Sequence, residues 1–307
     1  MADLLASPER PSPTVKPAGF RSARRGRTAS RYTPVLSLAL TAPLLLLLAV
    51  GFLYPIGALI KLSLFMPTLD LSAYRKIVEQ PIYLAIMART FRIALLVSIL
   101  SFVLGYPVAL AMASLNRRLA TIAAAAVFIA LWSPVLVRSY AWIVLLQRNG
   151  VVNTLMAQAG LINAPVKLLY NEGAVILATT HVLLPFMILP IFVALRSIPR
   201  ELVPAARNLG AGPATAFLRV TLPLSLPGVF AGSVMCFILA LGFYITPALV
   251  GGSGSMMVAT LIGQQATVLL DWPFAAALST TLLVATLVIV LVFRKAFSLS
   301  KGFASVD

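Results

Sequence analysis

The stretch SIPRELVPAARNLGAGPATAFLRVTLP, residues 197–223, is a polar, basic segment punctuated by glycine and proline between two runs too apolar to be anything but membrane spans. Its spacing predicts two short amphipathic helices. Gly210 takes the left-handed conformation that stops the first, and Gly212-Pro213 opens the second, since proline has the fixed φ suited to a first helical position. Ala205 and Ala206 leave a smooth face on which bulk would prevent close docking. Leu209, Phe217, Leu218 and Val220 supply apolar contacts, and Arg200, Glu201, Arg207 and Arg219 remain for polar ones. The segment reads as a docking surface; the residues alone leave open a loop packed on its own bundle.

Outward from this segment the composition is that of a bilayer protein. Sixty per cent of the 307 residues are hydrophobic and 10% charged, with a mean hydropathy of +0.99, more apolar surface than a soluble domain can hide. A hydrocarbon core of about 30 Å asks for roughly 20 apolar residues per helix. Six runs qualify, at about 35–60, 89–114, 119–146, 173–196, 222–249 and 274–296. The alternation of a β-barrel is absent, so the fold class is all-α integral membrane protein, six transmembrane helices with a cytoplasmic loop at 197–223.

The net charge of +16 does not mark a nucleic-acid binder, because its placement follows membrane topology. Sixteen of the 24 cations fall on one side: Arg10, Lys16, Arg21, Arg24, Arg25, Arg27 and Arg31 before the first run, Arg117 and Arg118 between the second and third, Arg196, Arg200, Arg207 and Arg219 after the fourth, and Arg294, Lys295 and Lys301 after the sixth. The positive-inside rule then makes both termini of a multi-pass membrane protein cytoplasmic. Residues 1–34, rich in Pro, Arg, Ser and Ala, are expected to form a disordered basic arm that sets orientation or touches anionic lipid headgroups. A cleaved signal peptide does not fit: the run 35–60 is too long and no A-x-A site closes it.

The spans carry proline nearly throughout, at Pro43, Pro55, Pro107, Pro134, Pro185, Pro190, Pro227 and Pro247, each freeing a carbonyl four residues earlier. Ser98, Ser101, Gly105, Ala109 and Ala113 give the second run a small-residue packing face. Ionisable residues deep in the spans are nearly lacking, which weighs against an ion-coupled secondary transporter. His181 stands alone and reads as a buried hydrogen-bonding residue, with no metal-ligand motif around it. Arg138 is expected to snorkel to the interface beside Tyr140 and Trp142, and Cys236 to fill space as a small apolar residue. Gly251-Gly252-Ser253-Gly254 resembles the G-x-S-G nucleophile motif of rhomboid-type intramembrane serine proteases. There the histidine follows, whereas His181 precedes; the glycines are better explained by a chain reversal with φ > 0. No P-loop occurs, so any ATP hydrolysis must belong to a partner, and the chain itself is expected to hold no cofactor, metal or catalytic residue.

Ala205, Ala206, Gly210, Val220, Leu222 and Pro223 match the spacing of the E-A-A-x3-G-x9-I-x-L-P loop, and on these residues the chain resembles the permease subunits of binding-protein-dependent ABC importers of the MetI-like type. The stretches 138–153 (RSYAWIVLLQRNGVVN), 184–199 (LPFMILPIFVALRSIP) and 243–252 (FYITPALVGG) are similar to spermidine/putrescine-type permeases, over about residues 35–300. The same pattern appears in permeases for opines, thiamine and ferric iron. The resemblance implies a second, homologous permease subunit, two cytoplasmic ATPase copies and a periplasmic binding protein. It makes Arg200, Glu201, Ala205, Ala206, Gly210, Phe217, Leu222 and Pro223 the coupling contacts to the ATPase. Pro204 replaces the motif's glutamate, so the first coupling helix should start near Val203–Pro204 or kink there. For the pathway, Trp132, Ser133, Tyr140 and Trp142 of the third run and Tyr244, Thr246 and Pro247 of the fifth offer aromatic faces to an ammonium. The outer acids Asp70, Glu79, Glu172 and Asp271 are candidates to guide a cation or contact the binding protein.

Overall fold

The computed structural model describes residues 34–65 and 68–303, with side chains from Val35 to Phe293. The expected basic arm lies outside the described residues except for Pro34. The chain divides into two units, Met1–Pro55 and Ile56–Asp307. In the first, α1 (Pro34–Leu48) leads into a π turn, Ala49–Leu53. Pro55 has no N–H for the carbonyl of Gly51, and Tyr54 donates instead to Ala49, one residue further back than an α-helical bond. After α2 (Tyr54–Leu64), the stretch Val35–Leu64 is long and apolar enough to cross a bilayer.

The core of the second unit is three helices: α4 (Pro81–Ser114), α8 (Glu172–Ser197) and α11 (Leu222–Leu241). α8 begins where sequence says a helix should: the Asn171 side chain accepts from the Ala174 N–H at 2.9 Å, Glu172 lies in the first turn and Arg196 in the last, each matching the helix dipole. Small residues set how closely these helices approach. A Cβ on Gly105 would stand 3.2 Å from Met187; on Gly232, 2.9 Å from its sulfur; on Gly228, 2.5 Å from the Ala194 Cβ. The small-residue face of the second run is thus a packing face, with Ser98, Ser101 and Ala109 buried. Cys236 is fully buried there, its thiol 3.6 Å from the Leu183 carbonyl oxygen.

The third run is not one helix. α5 (Arg117–Trp132) is followed by α6 (Val135–Leu146), and the stretch Val135–Gln158 that α6 opens lies at 96° to α5. Pro134 cannot donate to Ala130 and bars the residue before it from the α region; Ser133 is extended, at φ −68° and ψ 137°, and its hydroxyl donates to the abandoned Ala130 carbonyl at 2.9 Å. With this pair counted as one broken span, the described chain holds six; otherwise five. The fifth run is also shorter than its apolar stretch, because α11 stops at Leu241 and α12 (Ile245–Val250) follows as a separate helix.

At one end a smaller cluster forms. α3 (Ser72–Glu79), α13 (Val258–Thr267) and α14 (Trp272–Phe303) bring Ile77, Leu261 and Phe274 together with Ile86 of α4. Short α7 (Val151–Gln158) follows α6. No strand occurs among the described residues; Phe65 and Leu69 make one isolated bridge.

Candidate functional site

Residues 197–223 fold from their own local signals. α9 (Leu202–Asn208) starts with a tight bond from Leu202 N–H to Pro199 at 3.3 Å and an α-helical one from Ala205 to Glu201 at 2.9 Å. Pro204 falls in this first turn, where a missing N–H costs least; the start near Val203–Pro204 expected from the sequence is what occurs. The helix ends in a Schellman motif: Gly210 N–H donates to Arg207 at 2.9 Å and Ala211 N–H to Ala206 at 3.0 Å. Gly210 has φ +87°, and a Cβ there would meet nothing within 4 Å. Backbone conformation, not space, asks for glycine.

The second half departs from expectation. Pro213 does open a helix, α10 (Pro213–Ala216), but it is not a separate amphipathic helix: through a π turn, Phe217–Thr221, it continues into α11, giving one helix from Pro213 to Leu241. The prolines again explain the wide turn, since Pro223 leaves the Arg219 carbonyl without its helical donor, and Leu222 N–H reaches back to Phe217. Phe217 turns inward, edge-on to Tyr106 at 5.9 Å. The Tyr106 hydroxyl pairs with Ser225 at 2.9 Å, so α4 is tied to both halves of the bent helix. Arg200, Glu201, Ala205, Gly210 and Pro223 are exposed, Ala206 and Leu222 half-buried. Leu209 at the tip is 89% exposed.

The seven pathway candidates separate. Thr246 is buried, its hydroxyl 2.7 Å from that of Ser139, which joins α12 to α6; Pro247 is buried beside it. Trp142 donates to His181 Nδ1 at 3.3 Å, tying α6 to α8. The Tyr244 ring lies against Gly263 of α13, where a Cβ would come within 2.5 Å of it. Trp132, 85% exposed, and Tyr140 face away from the chain's own interior, and Ser133 is the elbow.

Four expectations change. Arg138 does not snorkel: it is 9% exposed and donates to the Val182 carbonyl at 3.2 Å. His181 hydrogen-bonds as expected, but it is exposed, not buried. Gly251 and Gly252 have negative φ, −82° and −112°; they are needed because other groups pass close by, a Cβ on Gly252 falling 2.5 Å from the Tyr170 carbonyl oxygen. The outer acids are already engaged: Asp70 accepts from Ser72, Glu79 pairs with Arg75, Glu172 with Arg92, and Asp271 caps α14 by accepting from Phe274. Glu79 and Glu172 lie in helices. The Asp70 carboxyl is held below the ordinary aspartate range first by the Ser72 main-chain N–H and then by its hydroxyl.

The contacts of Arg138, Ser139 and Tyr106 were not read from sequence as site features; a lone arginine inside an apolar run was the available signal.

Residues 101–297 match the family described as binding-protein-dependent transport system inner membrane component. The chain is 31% identical over 254 residues to the spermidine/putrescine transport system permease protein PotB of Haemophilus influenzae, covering 83% of this chain and 87% of that one. It is 30% identical over 226 residues to PotB of Escherichia coli, covering 74% and 82%. Among solved structures it resembles a bacterial ABC transporter involved in the import of the acidic polysaccharide alginate, with TM-score 0.70, 18% identity and coverage of 85% and 94%. At that identity the likeness concerns fold alone. The matched family region and the relatives at this coverage carry the assignment: the chain belongs to the binding-protein-dependent transport system inner membrane components, and is a multi-pass permease of an ABC importer.

Proposed function

We propose that this permease forms half of a translocation path for a polyamine of the spermidine/putrescine class, paired with a second, homologous permease. A periplasmic protein delivers the solute, and two cytoplasmic ATPase copies supply the work, with ATP and Mg²⁺ bound there and not in this chain. Both termini and residues 197–223 lie in the cytoplasm, as the distribution of arginine and lysine asks. Membrane lipid is the other partner, and nucleic acid is none.

The observation that carries the reading is the build of residues 197–223. α9 presents an exposed, small-residue surface, and the helix after it is continuous with a span. Movement of a docked ATPase would therefore tilt α11 directly, and α4 through Tyr106. Such a device transmits work only if the two transporter states bind ATP and the loaded binding protein differently, because a ligand with equal affinity for both shifts nothing. Arg200, Glu201, Ala205, Ala206, Gly210 and Pro223 make the docking surface; Phe217 and Leu222 pass its motion inward.

Polyamine as solute rests on likeness to PotB. The chain's own acids support a division of labour: each outer carboxylate has an internal partner, so selection of the cation falls mainly to the binding protein. Aromatic faces at Trp132, Tyr140, Trp142 and Tyr244 offer weak cation–π holds, about 0.5–2 kcal/mol each; Ser133 sets the elbow, and Thr246 and Pro247 pack α12 beside α6. Weak holds suit passage.

The test is affinity purification from the native membrane in gentle detergent with mass spectrometry of bound proteins, followed by uptake of radiolabelled spermidine and putrescine. Recovery of an ATPase and a second permease, and ATP-driven uptake that needs the binding protein, is the expected result. A chain recovered alone and competent for gradient-driven uptake would make it a secondary transporter.

A further inference from the structure

Where α4 ends, α5 begins and α8 leaves the membrane, a cavity of about 780 Å³ opens on the side from which residues 197–223 emerge. Arg117, Arg196 and Arg200 line it, with Thr121. No carboxylate stands within ion-pair reach of these arginines among the described residues. The far wall is apolar, with Ala120 and Ala124 of α5 facing Phe192 and Leu195 of α8. Arg117 is the first residue of α5, directly after its cap Asn116, and Arg196 lies in the last turn of α8. Both are at span ends, hence at headgroup depth, and the apolar wall runs inward from them.

From this arrangement we propose that the cavity binds the phosphate of an anionic phospholipid in the leaflet on that side, headgroup among the arginines and acyl chains along the alanine and Phe192 wall. Three reasons favour this occupant. Guanidinium forks match phosphate geometry. Uncompensated arginines gathered at one span boundary attract anionic lipid and repel a polycationic solute, so this is not a resting place for the solute proposed above. The graded lining, basic outside and apolar inside, fits a molecule with the same gradient and not a free anion, which would leave the apolar wall unused. Basic pockets between helices at this depth are suited to such headgroups. The inference uses the proposed orientation only to name the leaflet as cytoplasmic; the lipid measurement below involves no solute, so it stands or falls apart from the polyamine reading.

The experiment is native mass spectrometry of the full transporter, purified with its co-purifying subunits and titrated with phosphatidylglycerol, phosphatidylcholine or inorganic phosphate. The Arg117→Gln/Arg196→Gln and Arg117→Lys/Arg196→Lys double variants are run beside it. Phosphatidylglycerol should be retained in preference to phosphatidylcholine, should resist millimolar phosphate, and should bind about thirty-fold more weakly to the glutamine variant, the loss expected for two near-surface cations. The lysine variant should keep most of the preference. Both arginines are exposed, so folding is not at stake; an unchanged melting temperature checks this. Equal retention of the two lipids, or undiminished retention by the glutamine variant, overturns the proposal. Displacement by inorganic phosphate makes the site one for a free anion and overturns the lipid assignment. Binding seen only after the ATPase is stripped away assigns the arginines to a protein interface and overturns it too.

Discussion

The guanidinium of Arg138 donates to the main-chain carbonyl of Val182 at 3.2 Å, one residue past the carbonyl that Pro185 leaves without a helical donor. It pins α6, just beyond the 96° elbow, to the turn of α8 that proline has weakened. Burial of this cation is only partly offset, since its Nε has no partner among the described residues. Arg138→Met should therefore leave the melting temperature in detergent almost unchanged, because an apolar residue of similar length removes the desolvation cost along with the bond. Transport should fall about tenfold or more, as expected when a coupling of 1–3 kcal/mol is lost. A variant that unfolds readily yet transports normally would refute the pin.

Gly210 tests backbone conformation without a steric complication. A left-handed residue with a side chain costs roughly 1–2 kcal/mol, less for asparagine. Gly210→Asn should keep most ATPase stimulation by the loaded binding protein, whereas Gly210→Val and Gly210→Asp should lose it while still inserting in the membrane. Intact transport and coupling in Gly210→Asp would end the coupling assignment.

These two residues also show what the chain discloses unaided. Gly210 is legible because turn chemistry is local: a glycine two residues before Gly212-Pro213 has one economical reading. Arg138 is not, because its partner is a main-chain carbonyl 44 positions away, which no spacing rule reports. The six apolar runs were legible by length. The breaks within them were not: hydropathy sees no difference between a proline that a helix runs through, such as Pro107 inside α4, and Pro134, which separates two helices. Gly251 and Gly252 were read as turn glycines although the reason for Gly251 is the Pro247 carbonyl and for Gly252 the backbone of Tyr170, the latter a tertiary neighbour. For the proposed docking surface, sequence supplied the residues but not that the second helix is the start of a span.

Gly228 probes the closest helix approach. A Cβ there would lie 2.5 Å from that of Ala194 and 2.6 Å from the Pro190 carbonyl oxygen. Gly228→Ala should destabilise by about 1–3 kcal/mol, as overpacking does, and Ala194→Gly should relieve only part, since the carbonyl remains. Gly242→Ala, with nothing within 4 Å, is the matched control. Thermal unfolding in detergent of the four variants, including the double, reads this directly; equal melting of Gly228→Ala and Gly242→Ala would contradict the packing.

Asp70 carries a pH dependence of known sign. Ser72 lowers its folded pKa below the ordinary aspartate value, so the Asp70–Ser72 pairing ahead of α3 contributes above that ordinary value and is lost as pH falls through the depressed one. Hydrogen exchange at the Ser72 amide, which donates to Asp70 at 2.8 Å, should stay slow, after correction for intrinsic rates, until pH drops below the usual aspartate range. In Asp70→Ala, protection should be weak at every pH. Protection that instead fails on raising pH would reverse the assignment.

Tyr106 is where the proposed docking segment meets the bundle, by two contacts of different kind: the ring edge on Phe217 at 5.9 Å and the hydroxyl on Ser225 at 2.9 Å. The variants separate them. Tyr106→Phe keeps the ring but leaves the Ser225 hydroxyl its main-chain acceptor at Leu222, 2.9 Å away, so no buried group is orphaned and the cost should be about 0.5–1.5 kcal/mol. Phe217→Ala removes the ring contact and opens space beneath the π turn, costing about 3–5 kcal/mol if the site cannot collapse and less to the extent that the ring is only partly buried. If α4 follows α11 through the ring, Phe217→Ala should let the ATPase turn over without transport while Tyr106→Phe remains coupled. If the hydroxyl carries the motion, the order reverses. Vesicle assays reporting solute moved per ATP hydrolysed distinguish the two, and full coupling in both variants would mean that α4 takes no part in the stroke.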